Sequence, residues 1–252
     1  MPRPALAVLF ISFLFTACST NNVTVDSSLQ KYFDSAGVKG TFGLYDNGQG
    51  HFTIFNLARF RDSAYPPGST FDILQSLVAI QTGAAANENS PLLQPDPAGP
   101  AAASIRLAGA VGKDSLKKWV DSLRYGNKDI SEFTDSSHPA GRLTITADEQ
   151  MGLIKKLYFD QLPFFQRTQK IVRSLLQKEE NSNYRLVYKA GIGKDAGGKT
   201  TAWIMGWEEE NKHPYFFVLN FEPADAQADF SALGLQLVKN ILGPMGFFAG
   251  KK

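Results

Sequence analysis

Ser69, Thr70, Phe71 and Asp72 place a hydroxyl and a carboxylate one helical turn apart, at the head of an apolar run containing Ile73, Leu77, Val78 and Ile80. A serine hydroxyl is a poor nucleophile at neutral pH. It needs a neighbouring base, and the oxyanion that follows its attack needs preorganised N–H donors. The same four residues also read as a capping box, in which Asp72 stabilises the helix start and takes no part in chemistry. Lys189 is a second base candidate, since a lysine against low-dielectric surfaces can lose its proton readily. His138 would complete a Ser69–His138–Asp72 relay if it reached both partners, and is otherwise an exposed loop histidine beside Pro139. His51 and His213 lack metal-ligand spacing, so no metal is expected. Gly191-Ile192-Gly193 with Gly197-Gly198 is not followed by a helix or by a suitable Lys-Ser or Lys-Thr pair, so no nucleotide cofactor is expected.

The elements that must position these groups are of both kinds. Phe42 and Leu44, then Phe52 and Ile54, alternate on either side of Asn47-Gly48 and predict an opening β-hairpin. Tyr184 to Tyr188, Thr200 to Trp207 and Tyr215 to Phe221 predict a three-stranded meander, with Glu208-Glu209-Glu210 as a solvated turn. Between them, helical spacing links Leu116, Trp119, Val120 and Leu123. It also links Met151, Ile154 and Leu157 after a Thr146/Glu149 capping box, and Ile171, Val172, Leu175 and Leu176. Phe230, Leu233, Leu237, Val238 and Ile241 predict a terminal helix. Ala84 to Ala103, with four prolines, reads as a loop crossing between lobes. The expected fold is α/β of the α+β type: an antiparallel sheet flanked by helices, with a helical second lobe and a cleft between the two.

The segment Pro66-Pro67-Gly68-Ser69-Thr70-Phe71-Asp72-Ile73, continuing through Ser76-Leu77-Val78-Ala79-Ile80, resembles the nucleophile helix of class D β-lactamases, which share their fold with penicillin-binding transpeptidases. The resemblance continues in order through Tyr125-Gly126-Asn127, Leu143-Thr144-Ile145-Thr146, Lys189-Ala190-Gly191, Gly206-Trp207 and Tyr215-Phe216-Phe217. It implies that Ser69 is the acylated nucleophile and that Tyr125 and Asn127 edge the cleft from the helical lobe. It further implies that Lys189, Ala190 and Gly191 lie on the strand facing the substrate and that Trp207 packs near the nucleophile helix.

The chain departs from the family pattern at the positions that carry the chemistry. The family's carbamylated lysine, three residues after the serine, is Asp72, a shorter side chain that should fall short of the hydroxyl. Its Ser-x-Val motif aligns with Gly99-Pro100-Ala101, with Ser104 the nearest hydroxyl. Its Lys-Thr-Gly is Lys189-Ala190-Gly191, and no arginine follows Arg185 to clamp a carboxylate. The tryptophan that steadies the carbamate corresponds to His138. The expectation is a catalytically impaired homologue that binds a β-lactam, a peptidoglycan peptide or a protein partner in the cleft. The alternatives are an active serine β-lactamase or acyl-enzyme former acting through Ser69, and an unrelated hydrolase using Ser69, His138 and Asp72.

Ahead of this domain, Arg3, an apolar run from Ala5 to Phe15 and Thr16-Ala17-Cys18 read as an export signal too short to span a bilayer. The stretch resembles a bacterial lipobox, with Cys18, the only cysteine, as the lipidated residue. Residues 1–17 are then a signal peptide, 18–27 a tether and 28–252 the domain, exported and held at a membrane facing the periplasm. A net charge of +2 without a long single-sign run excludes a nucleic-acid footprint.

Overall fold

The computed structural model describes residues 22–133, 142–223 and 229–252. The chain enters with β1 (Val23–Val25), a 3₁₀ turn at Ser27–Leu29 and α1 (Gln30–Ala36), then forms β2 (Lys39–Asp46) and β3 (His51–Phe55). Next come α2 (Leu57–Asp62), the two-residue β4 (Ala64–Tyr65), and a 3₁₀ turn at Gly68–Phe71 that runs directly into α3 (Asp72–Thr82). The middle is helical, with α4 (Pro100–Val111) and α5 (Lys113–Leu123). The short β5 (Ile145–Thr146), paired with β4, precedes α6 (Ala147–Tyr158) and α7 (Gln166–Ser174). β6 (Gln177–Glu180), β7 (Arg185–Lys194), β8 (Thr200–Glu210) and β9 (His213–Glu222) complete the sheet, and α8 (Phe230–Leu242) covers it.

The main sheet has seven strands in the order β1-β3-β2-β9-β8-β7-β6, antiparallel except for the β1/β3 pair. Because strand side chains alternate between faces, its central strands serve two cores. Trp203, Met205, Trp207, Phe216 and Val218 join the core built with α3 and α6, while Ala202, Ile204, Phe217, Leu219 and Phe221 pack with α1 and α8. α6 is fixed at its start by the expected capping box: the Glu149 N–H donates to Thr146 Oγ1 at 3.1 Å, and the Thr146 N–H donates to Glu149 Oε2 at 2.9 Å.

The structure corrects four sequence expectations. Residues 23–27 are not a free tether: β1 pairs with β3, and Asp26 caps the Ser27–Leu29 turn through its carboxylate and the Ser28 N–H. The loop over 84–103 ends early, because Pro100 sits at the first position of α4, where its missing N–H and fixed φ are compatible with a helix. The β2/β3 turn spans residues 47–50 rather than Asn47-Gly48 alone.

Glu208-Glu209-Glu210 is not a solvated turn but the end of β8. The turn falls at Asn211-Lys212, whose φ values of 50° and 66° suit a tight two-residue hairpin. Glu208 and Glu210 therefore face inward with Ala202 and Ile204, at 0% and 1% exposure. Glu210 accepts the backbone N–H groups of Lys251 at 2.6 Å and Lys252 at 2.9 Å. Burial alone would raise its carboxyl, but these donors hold it below the usual range. Burial, reinforced by the negative charge of Glu210, pushes Glu208 up to about 9, so it carries its proton at neutral pH.

Candidate active site

Ser69 sits in the Gly68–Phe71 turn that feeds α3, and two glycines let this turn lie against β7. At Gly68, φ is +51°, and an added Cβ would fall 1.8 Å from the Ile192 carbonyl oxygen. At Gly191, a Cβ would fall 2.6 Å from the Thr70 nitrogen. Only glycine allows the two backbones this close. Polar contacts then fix the turn. Trp203 Nε1 donates to the Pro66 carbonyl at 2.8 Å, the Thr70 hydroxyl donates to the Pro67 carbonyl at 2.7 Å, and Gln150 of α6 donates to Thr70 Oγ1 at 2.8 Å.

Asp72, the first residue of α3, faces Lys189 of β7, and Lys189 Nζ lies 3.1 Å from Asp72 Oδ2. The two side chains are 14% and 25% exposed, shielded enough from water for the pair to be a real constraint. No side-chain cap forms at the Gly68–Phe71 turn or at α3, so the expected Ser69/Asp72 capping box is absent. A 3₁₀ turn brings the chain into the helix without an extended N-cap residue. Asp72 remains in the first turn, where its charge suits the helix dipole, but its hydrogen-bond partner is Lys189.

Ser69, Asp72, Lys189, Ala190 and Gly191 all line one cleft of about 1010 Å³, with Ser76 one turn beyond Asp72 on the same helix face. The opposite wall comes from Leu92 to Asp96 and from Pro100, Ala101, Ala103 and Leu107 of α4, and Val172, Leu175, Leu176 and Phe230 close one end. Among the described residues, no group hydrogen-bonds the half-buried Ser69 hydroxyl.

Other expected site residues fall elsewhere. Tyr125 does not edge the cleft. It is 4% exposed, its ring 5.3 Å from that of Phe71, and burial raises its phenol well above the ordinary range despite the neighbouring Thr70 and Gln150 side chains. Asn127 is exposed and works as a loop latch, accepting the N–H groups of Asp129 and Thr144 and donating to the Arg142 carbonyl. Trp207, paired with Val187 two residues along β7 from Lys189, packs edge-on to Tyr158 at 5.3 Å in the core shared with α3, as expected, but does not line the cleft. Trp203 is the tryptophan at the turn and lines the cleft. Ser104 is buried and bonds back to the Pro100 carbonyl at 3.0 Å, so it offers no hydroxyl to the cleft. His138 and Cys18 lie outside the described residues. Of the Asp72 carboxylate, Oδ2 is held by Lys189, while Oδ1 is buried without a hydrogen-bond partner among the described residues.

Comparison with known proteins agrees with this architecture. Residues 101–243 match the penicillin binding protein transpeptidase domain, a span that begins beyond the Ser69–Asp72 turn. The chain is 28% identical to the β-lactamase OXA-3 of Pseudomonas aeruginosa over 244 residues, covering 88% of this chain and 87% of that protein. It is 28% identical to OXA-48 of Klebsiella pneumoniae over 216 residues, covering 78% and 80%. Among solved structures, the class D β-lactamase FUS-1 (OXA-85) of Fusobacterium nucleatum subsp. polymorphum superposes with a TM-score of 0.80 at 24% identity, covering 89% of this chain and all (100%) of that one. The C-terminal domain of the Bacillus licheniformis BlaR penicillin receptor superposes at 0.78 with 22% identity, covering 90% and 98%. Sheet order, cleft position and the matched span lead to one conclusion: this chain belongs to the penicillin-binding protein transpeptidase-domain family and is similar to the class D β-lactamases.

Proposed function

We propose that this chain is a catalytically impaired member of the family, a cell-envelope lipoprotein anchored through Cys18 and facing the periplasm, which holds a ligand in the cleft without turning it over. The observation that carries this is the Asp72–Lys189 ion pair at 3.1 Å. General-base activation of Ser69 needs a lone pair within hydrogen-bond reach of its hydroxyl. An ammonium held by a carboxylate has no lone pair to offer, the paired Asp72 Oδ2 is already in use, and Asp72 Oδ1 is buried and makes no hydrogen bond to the Ser69 hydroxyl. What is left is a shaped cleft with a nucleophile-position hydroxyl that no described base hydrogen-bonds, an arrangement that supports binding better than acyl transfer.

The test is intact-protein mass spectrometry of the full chain after incubation with penicillins and carbapenems, alongside hydrolysis of a chromogenic cephalosporin, with Ser69→Ala as control. The expected result is neither adduct nor turnover. A stable adduct that disappears in Ser69→Ala would show a working nucleophile with blocked deacylation, and rapid hydrolysis would establish a β-lactamase. Labelling by a radioactive fatty-acid precursor, lost in Cys18→Ser, checks the anchor.

A further inference from the structure

We propose that the cleft selects an uncharged, mostly apolar small molecule and that Asp72 sets this selectivity by cancelling the charge of Lys189; this rests on the ligand-binding function proposed above. Among the described residues, the charges facing the cleft are almost wholly matched from within the protein. Lys189 is held by Asp72 at 3.1 Å, and Asp96 of the opposite wall is paired with the Arg106 guanidinium. Lys194, the remaining cation among the described lining residues, is exposed at the far end of β7, where water and salt screen it. Beside Lys189, Ala190 contributes a methyl group in place of any hydrogen-bonding side chain. The walls are mostly apolar, with Ile73, Leu93, Leu107, Leu175 and Phe230 around a space of about 1010 Å³, uncharged polar groups such as Ser76 and Gln177 among them, and Ile192 at the rim, 41% exposed.

A carboxylate entering this space would have to leave water, compete with Asp72 for one ammonium, and rest beside the like charge of Asp72. Its desolvation would go largely uncompensated. An uncharged ligand leaves the ion pair intact and gains the full burial of its apolar surface. Asp72 thus acts as a repulsive element against anions as well as a partner to Lys189, and discrimination of this kind is a difference of two affinities.

The test uses a matched pair of fluorescent probes, 1-pyrenebutyric acid and its methyl ester, with the full chain carrying Cys18→Ser so that no acyl group is attached. In that background the ester is expected to bind at least about tenfold more tightly than the acid. Asp72→Asn should raise affinity for the acid by about tenfold while leaving the ester within about twofold, and Lys189→Met should weaken the acid further. Ala103→Trp, which projects an indole into the cleft, should weaken binding of both probes. Equal affinities for acid and ester, or a ratio unmoved by both Asp72→Asn and Lys189→Met, would overturn the selectivity while leaving a ligand-binding cleft in place. Affinities for both probes left unmoved by Ala103→Trp would overturn it too, by placing them elsewhere. If neither probe binds any variant, the ligand-binding function itself fails.

Discussion

Asp72 and Lys189 are 117 residues apart in the chain, yet they meet at 3.1 Å in the cleft that Ser69 also lines. Removing one partner strands the other in a partly dry site. Lys189→Met is therefore expected to cost about 1–3 kcal/mol, less than for a fully buried pair because the lysine keeps some access to water. The Asp72→Asn/Lys189→Met double variant should recover part of that loss, and urea denaturation of the four proteins, read as a double-mutant cycle, gives the coupling. Subadditive losses support the pair; strictly additive ones mean that the two side chains do not interact in solution. The separate members of the site were legible, since Ser69, Asp72 and Lys189 stand in distinctive local motifs, but their pairing was not, because no local pattern reports a contact across such a separation. Tyr125 and Asn127 were placed at the cleft by family resemblance alone, and their own surroundings put one in the core and the other in a loop latch. Ser76 could have been found by extending the Ser69–Asp72 helical spacing by one turn.

At the scale of elements, the seam between the Gly68–Phe71 turn and β7 is the least tolerant part of the site. Gly191→Val must push Thr70 away from the strand, and Gly68→Ala must move the Ile192 carbonyl while adopting a left-handed φ. Each is expected to destabilise the fold by about 2 kcal/mol or more, whereas Thr146→Ala, which removes only the α6 cap, should cost about 1 kcal/mol. Thermal melts of the three variants test this order, and a Gly191→Val protein as stable as the parent would contradict the close approach. Most elements could be read from periodicity, and the Thr146/Glu149 cap was visible in full. α4 was hidden because its alanine-rich face has weak amphipathic contrast and its prolines suggested a loop, although Pro100 was itself a helix-start signal. The three glutamates misled for a related reason. Charge outweighed position, although the alternation of Ala202 and Ile204, continued through Gly206, already pointed Glu208 and Glu210 inward.

Across the whole molecule, the buried Glu208 makes stability depend on pH in an uncommon sense. Its carboxyl is raised from 4.5 to about 9 in the fold, so between those values the unfolded chain binds fewer protons than the folded one. Stability from this group is complete below the unfolded value and is lost as pH rises, by up to about 1.4 kcal/mol per pH unit, until the folded value is passed. Glu208→Gln, which keeps the shape without the titration, should be more stable than the parent at pH 8, by a margin that shrinks towards pH 5. Chemical denaturation at both values decides it, and a margin independent of pH would mean that Glu208 is not the titrating group. At the β1 edge of the sheet, the pairing of Val23 with Phe52 sets a mechanical limit. From Cys18 to Val23 the chain can extend at most about 18 Å. A lipid on Cys18 would then moor this molecule on a short line fastened to the β1/β3 edge. The domain could pivot about that point but not drift far from the bilayer, and ligands would have to reach its cleft within a thin layer beside the membrane.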